Sequence, residues 1–286
     1  MTSVAAPSLD DLRQRIDAID DGLLDLIHER ATIVGAIAAA KRASGSAGAF
    51  RPGREAQVMR RLAARHHGPF GLATMVGLWR EIMCEFTRLQ GPFSAAVQVA
   101  CGRPGLWDLA RDHFGGETPL EAHPTAEAVI AAVEDGRATV GVLPTPADGA
   151  GGDWWPRLLS DAADRPRIIS RLPFASPGSA RGEGLDAVTI ARLPTEASGL
   201  DRSYLALEPA APGDADGWIG GLAAETGLPL RGIAGRAGST CLIEIDDYIT
   251  DDDPRLGDLR RRAAGRLRGL SVLGAYAVPL TETRAG

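Results

Sequence analysis

The chain has 286 residues, 44% of them hydrophobic, which is enough for two or three packed domains. Its net charge of −6 argues against a general nucleic-acid binder, which would carry a basic surface. The start of the chain has no apolar signal run, and no stretch approaches transmembrane length, so no membrane contact is expected. The three cysteines, Cys84, Cys101 and Cys241, are widely spaced and suit a reduced setting, so the sequence predicts a cytoplasmic protein.

One unusually long helix is predicted over residues 8–44. Ser8 is a suitable N-cap, and Asp10 and Asp11 place negative charge in the first turn, where the helix dipole favours it. Apolar residues recur at three- and four-residue spacing, and no proline interrupts the stretch before Gly45. Such a helix is roughly 55 Å long, more than a unit of about 90 residues can bury against itself. We therefore expect it to pair with a second copy of the chain.

Three cations lie on or beside the apolar stripe of this helix. Lys41 is the only lysine among the 31 basic residues of the chain. Arg30 precedes Lys41 by close to three full turns, so the two side chains project to nearly the same side. Arg13 lies about 25 Å from Arg30 along the axis, too far for one small ligand to reach both. If all three serve one pocket, Arg13 must come from an antiparallel copy of the helix.

Two shorter helices complete an all-α unit over residues 1–93. The second is predicted to open at Pro52 and to run to about Arg65, because proline suits the first turn of a helix. The third is predicted from Leu72 to Gln90, where Gly91 and a following proline stop it.

The charged residues of this unit occur in an order that resembles a known family. Leu12 to Asp20 reads LRQRIDAID, and Glu29-Arg30, Ala40-Lys41, Arg54-Glu55 and Gln90 follow. Over residues 8–92 the chain resembles the all-helical (AroQ-type) chorismate mutases. The resemblance implies a homodimer whose two chains swap their first helices, and conversion of chorismate to prephenate without metal or organic cofactor.

The resemblance also implies a role for each matching residue. Arg30 and the partner chain's Arg13 would clamp the carboxylates of chorismate. Lys41 and Gln90 would donate to the ether oxygen, on which charge grows as the C–O bond breaks.

Two further residues are expected to bind the substrate by the same resemblance. Glu55 would accept a hydrogen bond from the ring hydroxyl, and Arg54 beside it would contribute to substrate binding.

Two positions depart from the family pattern. Phe86 stands where better-known members carry a hydroxyl residue, one turn before Gln90, and Arg51 stands in or near the place of a carboxylate. The related isochorismate–pyruvate lyases can carry an aromatic residue at the first position. A lyase therefore remains an alternative to the mutase, as does a non-catalytic regulatory protein of the same pathway.

From Ala95 onward the pattern changes to alternating strands and helices, which indicates an α/β region over residues 94–200. We predict strands at 97–101 and 139–143, with helices ending at Phe114 and spanning Ala126–Glu134. This region resembles the opening of a prephenate dehydratase. The acid and amide expected after Pro144 are absent, so we interpret it as a degenerate, non-catalytic relative.

Residues 201–286 are predicted to form a ferredoxin-like β-α-β-β-α-β domain that resembles the ACT regulatory domain. The predicted strands are 203–207, 228–233, 241–247 and 270–277, and the helices lie near 217–226 and 254–268. The expected fold class is thus multidomain: an all-α unit, an α/β region and an ACT-like domain.

Overall fold

The structure is a computed structural model of the single chain. It describes residues 7–45, 48–99, 105–147, 152–160, 162–176, 184–211, 216–263 and 265–281.

The first unit contains three helices, as the sequence predicts. They are α1 (Leu9–Ala43), α2 (Pro52–Arg65) and α3 (Leu72–Arg88). Ser8 caps α1: its side chain accepts from the backbone of Asp11, whose carboxylate accepts in turn from the Ser8 backbone. The predicted third helix was two residues too long, so Gln90 lies in the turn that follows α3.

Helix α1 leaves most of its surface exposed. Ala38 is its only buried residue, and all residues from Leu9 to Glu29 are exposed. The exposed large apolar side chains include Leu9, Leu12, Ile16, Ile19, Leu23, Leu24, Ile27 and Ile37. The amphipathic stripe read from the sequence therefore exists, but within one chain nothing covers its N-terminal part.

The α/β region starts with a parallel three-stranded arrangement. Strand β1 (Ala95–Gln98) lies between β2 (Leu120–His123) and β3 (Val140–Pro144) and is parallel to both. Helices α4 (Gly105–Phe114) and α5 (Ala126–Glu134) connect them, and α5 has the predicted bounds. Of the predicted first strand, Ala100 and Cys101 lie outside the described residues.

Further elements of this region were not predicted. A short 3-10 helix (Trp155–Leu158) precedes β4 (Arg167–Leu172), and β6 (Ala187–Ala191) lies between β4 and β3 with antiparallel pairing to both. A separate two-stranded ribbon joins β5 (Ala175–Ser176) to β11 (Leu280–Thr281). The middle of the chain is therefore more regular than its glycine and proline content suggests.

The last third of the chain follows the predicted order of elements. It contains β7 (Asp201–Pro209), α6 (Asp216–Glu225), β8 (Leu230–Ala237), β9 (Thr240–Ile245), α7 (Pro254–Arg262) and β10 (Leu267–Ala277). Strand β7 pairs antiparallel with both β10 and β9, and β8 pairs antiparallel with β9. The helix predicted over 254–268 ends earlier, at Arg262, because the chain turns there into β10.

One nine-stranded sheet joins the two α/β parts. Its strand order is β2-β1-β3-β6-β4-β10-β7-β9-β8. The connection is the parallel pairing of β10 with β4, where Gly274 lies opposite Ile168. A side chain at Gly274 would place its Cβ 2.0 Å from the Ile168 carbonyl oxygen, so this close approach requires glycine. The predicted domain boundary at residue 200 thus falls between β6 and β7, which are strands of the same sheet.

Helix α2 attaches the helical unit to this sheet. The Arg60 guanidinium donates to the carbonyl oxygens of Ser198 at 3.1 Å, Leu200 at 2.6 Å and Val278 at 2.9 Å. Arg51 forms an ion pair at 2.8 Å with Glu196, which lies on the same loop before β7 as Ser198 and Leu200. A Cβ on Gly53 would lie 2.8 Å from the Glu196 carbonyl oxygen, so glycine lets the first turn of α2 touch the loop directly. The helical unit is therefore fixed to the α/β unit through α2.

Candidate active site

A hydrogen bond between Lys41 and Gln90 lies at the centre of the candidate site. Lys41 is in the last turn of α1, and its Nζ donates to Gln90 Oε1 at 3.3 Å and to the Gly48 carbonyl oxygen at 3.1 Å. The Gln90 amide nitrogen donates to the Phe86 carbonyl oxygen at 2.9 Å. An ammonium has three N–H groups, so one donor of Lys41 remains for a ligand. The structure brings together two side chains that are 49 residues apart in the sequence.

Arg30 reaches the same helix end through Phe86. The Arg30 guanidinium carbon lies 4.6 Å from the centroid of the Phe86 ring, a cation–π contact. Phe86 is buried and Arg30 is half-buried, and this burial lowers the pKa of Arg30 from its usual value. Arginine stays charged at neutral pH even so. Phe86 therefore supports Arg30, a contact that its departure from the family pattern did not predict.

Arg13 lies away from this group within its own chain. Its side chain is 73% exposed and pairs with Asp10 at 3.2 Å in the first turns of α1. The spacing along α1 separates it from Arg30 by about 25 Å. One chain alone therefore presents Arg30, Lys41 and Gln90 without Arg13.

The two predicted residues of α2 are found in different surroundings. Glu55 is buried and accepts from Arg80 of α3 at 2.7 Å, while Arg80 itself is only 4% exposed. This ion pair was not predicted, and the predicted contact of Glu55 with a ring hydroxyl stays a prediction. Arg54 is exposed and donates to Gln57 at 3.3 Å. The pairing of Glu55 with Arg80 depends on how α2 packs on α3, which local sequence does not reveal.

The guanidinium, ammonium and amide groups of this site are hydrogen-bond donors, and two of them are positively charged. Lys41 contacts Gln90 directly, and Arg30 contacts Phe86, whose carbonyl oxygen accepts from the Gln90 amide. Fixed donors of this kind stabilise negative charge that develops on an oxygen atom. They also hold a flexible dianion in one conformation, which lowers the entropic part of a barrier. The arrangement suits a reaction that needs orientation and charge stabilisation.

These features define an all-helical unit with cationic side chains and an amide at one end, and comparison with known proteins specifies its type. Residues 12–91 match the family model described as chorismate mutase type II. The match covers Arg13, Arg30, Lys41 and Gln90, and it confirms the resemblance of this unit to chorismate mutases.

Curated relatives extend the similarity beyond the helical unit. The chain is 34% identical over 145 residues to a bifunctional chorismate mutase/prephenate dehydratase of Stutzerimonas stutzeri, covering 49% of this chain and 39% of that protein. It is 33% identical over 134 residues to the protein of the same description from Neisseria gonorrhoeae, covering 46% and 35%. The matched stretch thus spans well under half the length of these relatives.

Solved structures resemble the chain more distantly. A prephenate dehydratase from Streptococcus mutans superimposes with a TM-score of 0.45 at 15% identity, covering 65% of this chain and 99% of that one. A protein described as a novel type of quorum quenching acylase gives a TM-score of 0.42 at 20% identity, covering 67% of this chain and 97% of that one.

In the described part of the chain, no helix is both long and apolar enough to cross a membrane.

Proposed function

We propose that the chain is a chorismate mutase that converts chorismate to prephenate in the route to phenylalanine and tyrosine. The observation that carries the proposal is the Lys41–Gln90 hydrogen bond at 3.3 Å. Arg30 lies over the ring of Phe86, one helical turn before Gln90. All four residues lie within the segment that matches the mutase family.

The proposed mechanism uses the site to orient and to stabilise charge. Chorismate is a dianion, and its rearrangement is pericyclic, without a nucleophile or a proton transfer. Arg30 binds a carboxylate through its forked donors, which match a carboxylate in geometry. Lys41 donates its remaining N–H to the ether oxygen. Gln90 donates to the same oxygen once substrate draws its amide nitrogen from the Phe86 carbonyl oxygen.

A helix-swapped homodimer completes the proposed site. A second copy laid antiparallel on α1 would cover the exposed stripe and bring its own Arg13 toward Arg30 and Lys41. The exposure of Ile16 at 56%, Ile19 at 61% and Leu23 at 54% supports this proposal, because a stripe of this length is usually buried. We retain Arg54 as a substrate-binding residue. We also retain Glu55, which its ion pair with Arg80 holds in place.

The remaining residues form the proposed non-catalytic part. We propose that residues 94–200 derive from a prephenate dehydratase and that residues 201–286 form an ACT-like domain. The order β10-β7-β9-β8 and the antiparallel pairings support a ferredoxin-like arrangement for the second of these. Dehydratase activity is not part of the proposal. The chain continues from Pro144 with Thr145 and Pro146, so the acid and amide expected after Pro144 are absent. The cytoplasmic location stays a prediction.

A turnover assay on the full chain tests the proposal. We expect prephenate from chorismate at a rate far above the uncatalysed one. The second candidate is an isochorismate–pyruvate lyase, and the observation in its favour is the aromatic ring of Phe86 in the site. A lyase would release pyruvate and salicylate from isochorismate. Turnover of neither substrate would support a non-catalytic regulatory protein and would contradict the proposal.

A further inference from the structure

The loop between α1 and α2 supplies one of the two acceptors of Lys41. Its Nζ donates to the Gly48 carbonyl oxygen at 3.1 Å and to Gln90 Oε1 at 3.3 Å. An ammonium carries three N–H donors in tetrahedral directions, so two bonded acceptors set the direction of the third. The Gly48 carbonyl therefore helps to aim the N–H that remains for a ligand.

Phe50, two residues after Gly48, fixes this loop in the core of the α/β unit. Its side chain is buried, and its ring centroid lies 5.1 Å from that of Phe93 and 5.9 Å from that of Phe114. Phe93 precedes β1 and Phe114 ends α4, so the three rings pack in the core that these elements share. Aromatic pairs at such distances add to the free energy gained by burial. The position of Gly48 thus depends on the α/β unit.

The connection between β6 and β7 makes a second contact with the loop. A Cβ on Gly48 would lie 3.8 Å from Leu193 Cδ2, and Leu193 packs against the same core as Phe50. Arg51, next to Phe50, forms its ion pair with Glu196 of this connection. The unit without a proposed catalytic role therefore contacts the loop that bears an acceptor of Lys41.

We propose that Phe50 is a positioning residue for Lys41. By anchoring the loop it fixes the Gly48 carbonyl, and that carbonyl orients the Lys41 ammonium toward the ether oxygen of the substrate. The inference rests on the proposed function where it concerns the reaction rate, whereas the orientation of Lys41 is measurable without substrate. A catalytic group displaced by about 1 Å can lower a rate about 10²-fold.

Lysine-specific NMR tests the orientation on the free, full-length protein. Because Lys41 is the only lysine of the chain, lysine labelled at Nζ and Cε gives one side-chain signal. Gly48 has a φ of 94°, which an L side chain rarely adopts, so Gly48→Ala should displace its carbonyl. We expect the Lys41 signal to move toward that of free, hydrated lysine.

Gly68→Ala is the matched control for backbone strain. Gly68 is also exposed, has a φ of 93° and lies in the turn between α2 and α3. This variant should leave the Lys41 signal where it is in the parent chain. An unchanged signal in Gly48→Ala, or an equal movement in Gly68→Ala, would overturn the inference.

Phe50→Leu tests the anchor itself. Leucine stays apolar but loses both ring contacts, so the Lys41 signal should move in the same direction as in Gly48→Ala. Ile243→Val deletes a core methyl group from β9, in a different hydrophobic cluster, and controls for a general loss of stability. A Lys41 signal that stays in place in Phe50→Leu, or moves equally in Ile243→Val, would show that Phe50 does not position Lys41.

Steady-state kinetics connects the orientation with catalysis. We expect kcat for chorismate to fall about ten-fold or more in Gly48→Ala and Phe50→Leu, with KM within about two-fold, because the third N–H acts on the transition state. Both control variants should keep the parent kcat. A moved Lys41 signal with unchanged kcat would contradict the positioning role. If the parent chain turned over no chorismate while the signals moved as expected, the proposed function would fail and the orientation of Lys41 by Phe50 would stand.

Discussion

The two halves of α1 differ in their contacts, although both leave apolar side chains exposed, as Ile33 and Ile37 show in the second half. From Leu9 to Glu29 every residue is exposed, although apolar side chains recur there at helical spacing. From Arg30 onward the helix contacts the Phe86 ring of α3 and, through Lys41, Gln90 in the turn that follows α3. Both halves have a continuous amphipathic pattern, yet only the second makes these contacts with other helices or turns of its own chain. The difference teaches that an amphipathic pattern in the sequence predicts an apolar helix face, but it does not specify which molecule packs against that face.

Removal of a donor from the contacting half should have the largest effect. Lys41→Ala and Gln90→Ala should each lower kcat for chorismate about 10²–10³-fold, because one preorganised donor to developing charge contributes about 3–4 kcal/mol. Steady-state kinetics would measure this. Arg42→Ala is the control, since Arg42 is adjacent and exposed. Near-normal turnover by Lys41→Ala would contradict the role assigned to the ammonium.

A charge placed in the exposed half should disrupt the dimer. Ile19→Glu introduces a carboxylate into the apolar stripe of both copies, and loss of that burial costs about 1.5–3 kcal/mol for each side chain. Light scattering with size exclusion should then show a shift toward monomer, with a parallel loss of turnover. Gln14→Glu, on the opposite face of the helix, should leave both unchanged. A variant with Ile19→Glu that stays dimeric and active would show that the stripe is not the interface.

The Glu55–Arg80 pair should affect stability more than catalysis. Glu55→Gln leaves the buried Arg80 cation without its counter-charge, and we expect the free energy of unfolding to fall by about 1–3 kcal/mol. Urea denaturation would measure the loss. Glu85→Gln on the exposed surface of α3 is the matched control. If the Glu55 variant instead kept its stability and lost kcat as strongly as the Lys41 variant, the carboxylate would belong to the catalytic group.

Loss of the aromatic ring under Arg30 should have the smallest effect. Phe86→Leu keeps an apolar side chain but removes the cation–π contact, which contributes about 0.5–2 kcal/mol at a partly buried site. KM for chorismate should rise several-fold, with a smaller change in kcat. Phe86→Tyr retains the ring face and should behave like the parent chain. An unchanged KM in Phe86→Leu would show that the ring does not position Arg30 for substrate.

The sequence predicted the elements whose signals are local. The bounds of α1 follow from the Ser8 cap and from apolar spacing, and those of α5 were predicted to the residue. Strands β4 and β6 were missed because their stability depends on pairing with each other and with strands distant in sequence. Local propensity contains little of that information.

The candidate site also contains residues that the sequence predicts and contacts that it does not predict. Arg30 and Lys41 were placed together from helix geometry, and the family resemblance added Gln90. The Glu55–Arg80 pair and the Arg30–Phe86 contact depend on how two helices pack, so the order of charged residues does not reveal them. The contacts of Arg60 join residues about 140 positions apart, and no sequence signal marked them.

Activity of mixed dimers is the most direct measurement of whether two chains share the site. Chains with Arg13→Ala and chains with Lys41→Ala should each be nearly inactive alone. A heterodimer of the two contains one pocket with both defects and one pocket with neither, so purified heterodimers should recover about half of the parent activity. Recovery near that value would support a pocket built from both copies of α1. Confirmed heterodimers that stay as inactive as either parent variant would contradict it.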